Sequence, residues 1–435
     1  MGAYMKKDTL IKSTIILLIG GVITKILGMI IKVTMTRIAG LEAMSIYMLV
    51  FPTFSLFMTI SQFGLPSSIS KLVSEERHNN KSILFSSIPF CLLFNLILML
   101  FIVFSSKFIA VNLLKDERCI YPVMAISMVI PFDSISNILR GYFIGKNKMS
   151  VHIISLVVEQ TVRLFLILLI VPIFKDNIVY VATIMILVNL FSEFSAIIVL
   201  DLFIPNKKNI RKDEVKTNFN DLKNVLSISL PTVASRLVGA IAYFFEPIIL
   251  TLALLKNGYN SNFIVTEYGI IEGYVLPLLL LPNFFSNALS SAVLPLVSKY
   301  SASGNKKAIK KKTMEVIFIS LLIGSVFTIC LMINPDFFLK ILYQENYGSD
   351  YVKFLAPFFI LLYIESPISS ILTAINKPKS IMYHNILGTF VKIIFIFVFS
   401  SLKIGIYGFL IAMVANIVLV TTLHIFVLKK EIYSK

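Results

Sequence analysis

Apolar runs long enough to cross a lipid bilayer dominate this sequence and constrain its fold more than any other feature. They fall at about 11–36, 43–69, 82–106, 120–144, 151–173 and 178–203. Six more fall at about 223–254, 268–297, 313–334, 352–375, 380–401 and 404–428. A membrane-spanning helix needs roughly 20 mostly apolar residues. Hydrocarbon offers no water to an unpaired backbone group, so such runs must be helical. The ten-residue alternation of an outer-membrane strand is absent. Only 14% of the 435 residues are charged and 57% are hydrophobic, whereas soluble domains carry about 25% charge. That balance excludes a soluble enzyme and a disordered linker.

The formal net charge of +17 needs its own account, because basic chains often bind nucleic acid. No stretch is long and polar enough to present a basic soluble face, so nucleic acid is not an expected partner. The charge is instead topological. Basic residues in the N-terminus, the even-to-odd loops and the C-terminus total 26, against 9 in the opposite loops. Loops rich in Lys and Arg stay in the cytoplasm, which places both termini there and predicts a multi-pass membrane protein. The most polar stretch, with Lys207, Lys208, Arg211, Lys212 and Lys216, lies between the two sets of six runs. It divides the chain into an N-terminal lobe (1–204), a cytoplasmic linker (205–222) and a C-terminal lobe (223–435).

Several chemistries are not encoded. Cys91, Cys119 and Cys330 form no CxxC pair, so neither a disulfide framework nor a zinc site is expected. The first apolar run lacks a signal-peptide cleavage site and is expected to remain as a helix. Gly141 to Asn147 is one residue short of a P-loop and ends in Asn where a hydroxyl must bind magnesium. There is no GxSxG or HExxH motif and only four His. No catalytic residue, metal or cofactor is expected, and the chain reads as a non-enzyme.

The halves repeat. Thr24-Lys25-Ile26-Leu27-Gly28 matches Ser235-Arg236-Leu237-Val238-Gly239, Val162-Arg163 matches Val391-Lys392, and Asn147-Lys148 matches Asn376-Lys377. The offsets drift from 211 to 229 but keep their order. Six is even, so the repeats run parallel, an architecture of transporters whose substrate site lies between the halves near the midplane. The expected fold is an all-α polytopic membrane protein, with about 12 transmembrane helices in two pseudo-symmetric six-helix lobes around a central cavity.

Five cations fall inside apolar runs: Lys25, Lys32, Arg163, Arg236 and Lys392. An intramembrane cation is costly unless it pairs or faces water, and it is a functional hypothesis by default. Lys25 and Lys32 are seven apart, on one stripe of a helix with Gly21 and Gly28. Small residues there let a neighbouring helix or a ligand come close to the backbone. The stripe is either a track for an anionic headgroup or a structural feature, with Lys32 reaching the interface and Lys25 neutralised by a carboxylate. Glu159 and Arg163 have the i, i+4 spacing of a helical ion pair, so Arg163 lines a cavity or is structurally satisfied. Arg236 has no acid within a turn or two, and Glu246 follows ten residues later. Asp133, Glu159, Glu193, Glu246, Glu272 and Glu365 are the acids within apolar runs. Most balance the cations, and Glu246 and Glu272 are the better ion-coupling candidates. Internal prolines such as Pro52, Pro131, Pro231, Pro282 and Pro367 permit kinks.

Lys25-Ile-Leu-Gly-Met-Ile-Ile-Lys32 with Arg37-Ile-Ala-Gly40, Gly64-Leu-Pro-Ser-Ser-Ile-Ser-Lys71, Arg140-Gly-Tyr-Phe-Ile-Gly145, Val158-Glu-Gln-Thr-Val-Arg163 and Leu276-Pro-Leu-Leu-Leu-Leu-Pro282 together carry a resemblance. In that order they resemble the stage V sporulation protein B group, within the polysaccharide-transporter branch of the multidrug/oligosaccharidyl-lipid/polysaccharide exporters. The resemblance implies a two-lobed flippase alternating between inward- and outward-open states. It implies a polyprenyl-diphosphate-linked oligosaccharide substrate, a precursor of peptidoglycan, spore cortex or another envelope glycan. Lipid II flippases of the superfamily use helix 1 cations, the first of which falls on Lys25 and the next on Ile31 or Lys32. Members commonly have fourteen helices, where twelve runs are present here.

Lys25, Lys32, Arg163, Arg236 and Lys392 are therefore the candidate substrate-binding residues, meeting lipid-linked glycan among membrane lipids. A cation-coupled multidrug-type exporter, with the acids as its coupling site, is the alternative. A scaffold that positions envelope-synthesis enzymes is a third. A net-cationic cavity favours the first reading and a net-acidic one the second.

Overall fold

The computed structural model describes residues 7–75, 80–204 and 219–433. In chain order the helices are α1 (Lys7–Gln62), α2 (Leu65–Ser74), α3 (Asn80–Lys107), α4 (Ile120–Gly145), α5 (Met149–Ile170), α6 (Ile178–Leu202) and α7 (Phe219–Lys256). They continue as α8 (Ser261–Ile270), α9 (Leu276–Leu279), α10 (Asn283–Ala302), α11 (Lys306–Ile333), α12 (Pro335–Tyr343), α13 (Ser349–Ala374), α14 (Pro378–Ser400) and α15 (Tyr407–Tyr433). Among the described residues every regular element is helical.

Ten of the described helices are long and apolar enough to cross a membrane. The count is eleven if the bent pair Ser261–Leu279 and Asn283–Ala302 makes one span. The first span holds two of the expected runs. Its helix α1 has 56 residues, which at 1.5 Å each would reach ~84 Å against a hydrocarbon core of ~30 Å. Gly40 breaks it, with φ 73° and ψ 174°, a conformation essentially closed to residues with a Cβ. Runs 11–36 and 43–69 therefore lie on opposite sides of one kink, and counting them separately recovers twelve. The exterior is apolar, as lipid requires. Phe104 on α3 is 83% exposed, and Leu93, Ile97 and Phe101 are exposed on the same helix.

The chain forms two compact units, Met1–Phe244 and Phe245–Lys435. The linker at 205–222 is the boundary expected from sequence, and its residues 205–218 lie outside those described. The compact units part further on, within α7, because the start of that helix packs on the first unit. Ser82 Oγ donates to Asp221 at 2.6 Å, and Ser229 Oγ donates to Ser68 Oγ at 2.8 Å. Val225 joins the cluster of Leu65, Ile69 and Phe143.

In the first unit α4 packs against α1, α2, α3 and α6. Its approach to α2 is set by glycine. A Cβ on Gly141 would lie 2.4 Å from the Pro66 carbonyl oxygen, and one on Gly145 would lie 2.7 Å from that of Ser70. Gly21 and Gly28 are not close-packed in this way, since a Cβ on either meets nothing within 4 Å. In the second unit α13 takes the corresponding place, packed against α10, α11 and α15. Gly324 on α11 accepts the Tyr363 ring, which a Cβ would meet at 2.4 Å.

The repeat is visible in how these two central helices end. Asn147 follows α4 with φ 56°, and Asn376 follows α13 with φ 62°. The next amide in each case, Lys148 or Lys377, donates five residues back, to Phe143 or Leu372, at 2.9 Å. A left-handed Asn with this bond is a Schellman stop. The matched Asn-Lys dipeptides therefore terminate pseudo-equivalent helices by the same device.

Candidate functional site

The first unit contains a polar cavity of about 550 Å³. Both arms of α1 line it: Gly28 and Lys32 come from before the kink, and Tyr47, Ser55 and Gln62 from after it. Asp133 of α4, Glu159 and Arg163 of α5, and Asn189 and Glu193 of α6 complete the polar wall. The break at Gly40 is what allows one helix to supply two walls.

A buried ion network stands behind the cavity face. Arg163 Nη2 lies 2.5 Å from Glu159 Oε1, the pair expected from its i, i+4 spacing, and 3.8 Å from Glu193 Oε1. Arg163 also donates to Ser192 Oγ through Nε at 3.3 Å and Nη2 at 3.2 Å. Arg140, 5% exposed, places its Nη2 2.6 Å from Glu159 and 3.4 Å from Glu193. Ser136 Oγ donates to Glu193 at 2.5 Å. Two guanidinium groups thus face two carboxylates. Asp133 stands apart from them and accepts from Gln62 Nε2 and Asn137 Nδ2, each at 3.0 Å.

The cavity is neither net cationic nor net acidic once Arg140 is included. The lining holds two cations, Lys32 and Arg163, against three acids, Asp133, Glu159 and Glu193, and Arg140 behind it offsets one carboxylate. Lys32 Nζ contacts Met48 Sδ at 3.4 Å. A polar cavity with cations on two different helices can hold an anionic group through charge-assisted hydrogen bonds.

The candidate residues divide by unit. Lys32 and Arg163 meet on the one cavity. Lys25 and Arg236 are exposed on the first unit and do not line that cavity. In the second unit Lys392 Nζ lies 2.6 Å from Glu246 Oε2 and 5.7 Å from the centre of the Phe409 ring. Glu246 is thus partnered by Lys392 across 146 residues of chain. Glu272 lies half-buried on a π-helical turn, Ile271–Val275. The repeat-related cations share environments: Lys25 and Arg236 are both exposed, while Arg163 and Lys392 each bind a buried glutamate. Balancing of cations by intramembrane acids holds for Glu159, Glu193 and Glu246.

Arg140 is the member of the ion network that sequence reading misses, because it stands near the end of its run and passes for a loop-side cation. Its signal is its place in the Arg140-to-Gly145 segment, whose glycines lock α4 against α2. Among the described residues no three His, Cys, Asp or Glu side chains gather as a metal site.

The sequence model of the family described as "Polysaccharide biosynthesis protein" matches residues 10–301. The chain belongs to that family. A second model, MatE, matches residues 273–398. Stage V sporulation protein B of Bacillus subtilis (strain 168) is 33% identical over 432 residues, covering 97% of this chain and 83% of that protein. The lipid II flippase MurJ of the same organism is 22% identical, covering 88% of this chain and 76% of that one. Among solved structures, the inward-facing conformation of a multidrug resistance MATE family transporter superposes with a TM-score of 0.72 at 16% identity, covering 94% of each chain. At that identity the likeness shows the fold. Family and fold together make the protein a multi-pass helical membrane protein with the fold of that transporter.

Proposed function

We propose that the protein is a flippase that moves a polyprenyl-diphosphate-linked oligosaccharide across a bacterial plasma membrane by alternating access. The substrate class is a peptidoglycan or other envelope precursor, with spore cortex suggested by the stage V sporulation relative. One observation carries the reading: Lys32 and Arg163, from different helices, line one polar cavity inside an otherwise apolar unit. A diphosphate suits a Lys point charge beside an Arg fork. Glu159 and Ser192 hold the Arg163 guanidinium in place before substrate arrives, which lowers the ordering cost of binding. Lys25, Arg236 and Lys392 are further cations for the substrate's path. Glu246 and Glu272 are the coupling candidates, and the 26-to-9 charge bias assigns both termini to the cytoplasm.

A second reading has its own observation. Asp133, Glu159 and Glu193 line the same cavity, as a cation-coupled exporter of small molecules would require. Liposomes carrying the purified protein and a fluorescent polyprenyl-diphosphate-linked glycan separate the two. Lys32→Ala with Arg163→Gln should lower translocation at least ten-fold. Translocation at the unaltered rate, together with dye efflux lost in Asp133→Asn, would establish the second reading instead.

A further inference from the structure

The second unit holds a polar site of different character. A cavity of about 480 Å³ lies among α10, α13 and α14. Another of about 250 Å³ lies among α13, α14 and α15, and Leu362, Glu365 and Asn385 line both. Small-ligand sites span roughly 300–1,000 Å³, so the larger cavity is in range. Among the described residues no Lys or Arg lines either one, and Glu365, 3.2 Å from the buried His424 Nδ1, is the ionisable group of the lining.

The wall is built from neutral hydrogen-bonding groups. Ser366, Ser369, Ser370 and Thr373 recur at i, i+3, i+4 and i+7 on α13, which places them on one face. Asn283 and Asn287 face them from α10, and Asn385 from α14. Part of the wall is pre-ordered. Ser366 Oγ donates to Asn287 Oδ1 at 2.8 Å and meets Ser290 Oγ at 3.0 Å, while Ser369 Oγ donates to Glu365 at 2.8 Å. Asn283 Oδ1 is buried with no hydrogen-bond partner, a costly state inside a membrane protein.

The backbone points to the same place. The span carrying Asn283 and Asn287 is broken, with Ser261–Leu279 and Asn283–Ala302 meeting at 52°. Asn283 is the first residue after the break, next to Pro282. Interrupted helices persist at membrane depth where they are buried in protein or line a cavity, and transporters place ligands at such breaks.

The donor set selects the ligand. A cation calls for several converging carboxylates or carbonyls, and an anion calls for Lys or Arg. Amides and hydroxyls both donate and accept, which matches sugar hydroxyl and acetamido groups. We propose that this cavity binds a neutral, polyhydroxylated glycan unit through Asn287, Ser366, Asn385 and Glu365. The inference rests on the reading of a lipid-linked glycan as substrate and names a glycan-binding site within the second unit.

The test uses the full chain in lipid nanodiscs and two separate probes. The free disaccharide of N-acetylglucosamine should give saturation-transfer signals. Asn287→Leu with Ser366→Ala should weaken its binding at least ten-fold, and so should Asn385→Leu, a second variant on another helix. Arg163→Gln should leave it unchanged. Farnesyl diphosphate, which has no sugar, should bind and lose affinity only in Arg163→Gln. Disaccharide binding that is absent, or insensitive to both sets of cavity changes, overturns the inference whatever the diphosphate does. Intact, cavity-dependent disaccharide binding without diphosphate binding supports the sugar site and removes the proposed lipid-diphosphate function. Sodium-dependent stabilisation abolished by Glu365→Gln, with no disaccharide signal, makes this a cation site and also overturns the inference.

Discussion

Arg140 Nη2 and Glu159 Oε2 meet 2.6 Å apart, with side chains only 6% and 5% exposed. The pair joins α4 to α5 and anchors the wall on which Arg163 is displayed. Removing one member of a buried pair leaves an uncompensated charge, which costs about 3–5 kcal/mol. Arg140→Ala should therefore lower the thermal unfolding midpoint strongly in detergent. Arg140→Lys, which keeps the charge without the fork, should lose less. Equal loss in both would mean that guanidinium geometry, not charge, holds the network.

Glu246 and Lys392 offer the cleaner test of a buried pair in the second unit. Each single neutralisation, Glu246→Leu or Lys392→Met, should destabilise by about 3 kcal/mol or more. Lys392→Met combined with Glu246→Leu should return to within about 1 kcal/mol of the parent, since an apolar replacement of both partners strands no charge. A double-mutant cycle on thermal unfolding measures the coupling. Additive losses would show that the two groups do not interact.

Glycine substitutions should separate by position. Gly141→Ala drives a Cβ to 2.4 Å from a backbone oxygen of α2, and overpacking of this kind costs about 1–3 kcal/mol. Gly239→Ala, whose Cβ would meet nothing within 4 Å, should be neutral or stabilise by about 0.4–1 kcal/mol. Chemical or thermal unfolding of the two variants side by side checks the contrast.

Gly40→Ala should act through conformation alone, because a Cβ there also meets nothing within 4 Å. Holding Ala at φ 73° and ψ 174° costs on the order of 1–3 kcal/mol. The variant relieves that strain by straightening α1, which pulls Lys32 and Tyr47 off their shared cavity. Translocation should fall by more than the loss of folded protein explains, and unchanged translocation per folded molecule would remove the kink from the mechanism.

The residues themselves show how far sequence reasoning reaches. The Glu159–Arg163 pair was legible because i, i+4 spacing on a helix is local geometry, independent of what packs around it. The match of Asn147-Lys148 to Asn376-Lys377 was legible as a repeat, but their left-handed φ shows that each ends a helix. The partner of Glu246 was not legible, since Lys392 lies on another helix and no local spacing connects them. Arg140 was hidden for a related reason. Its place near a helix end suggests solvent, and only the packing of α4 against α5 and α6 closes solvent off.

The sequence by itself determined that this chain is a helical membrane protein with duplicated halves. Both conclusions rest on the bilayer's thickness, the need to satisfy every backbone hydrogen bond in lipid, and motifs repeated in order. Only the tertiary structure decided which intramembrane charges share a cavity and which neutralise one another. Helical period tells which residues share a face, but the partner of that face is chosen by packing. In the first unit that choice turned on the Gly40 kink and on the Gly141 contact with α2. They bring Lys32, Arg163 and their acids around one cavity.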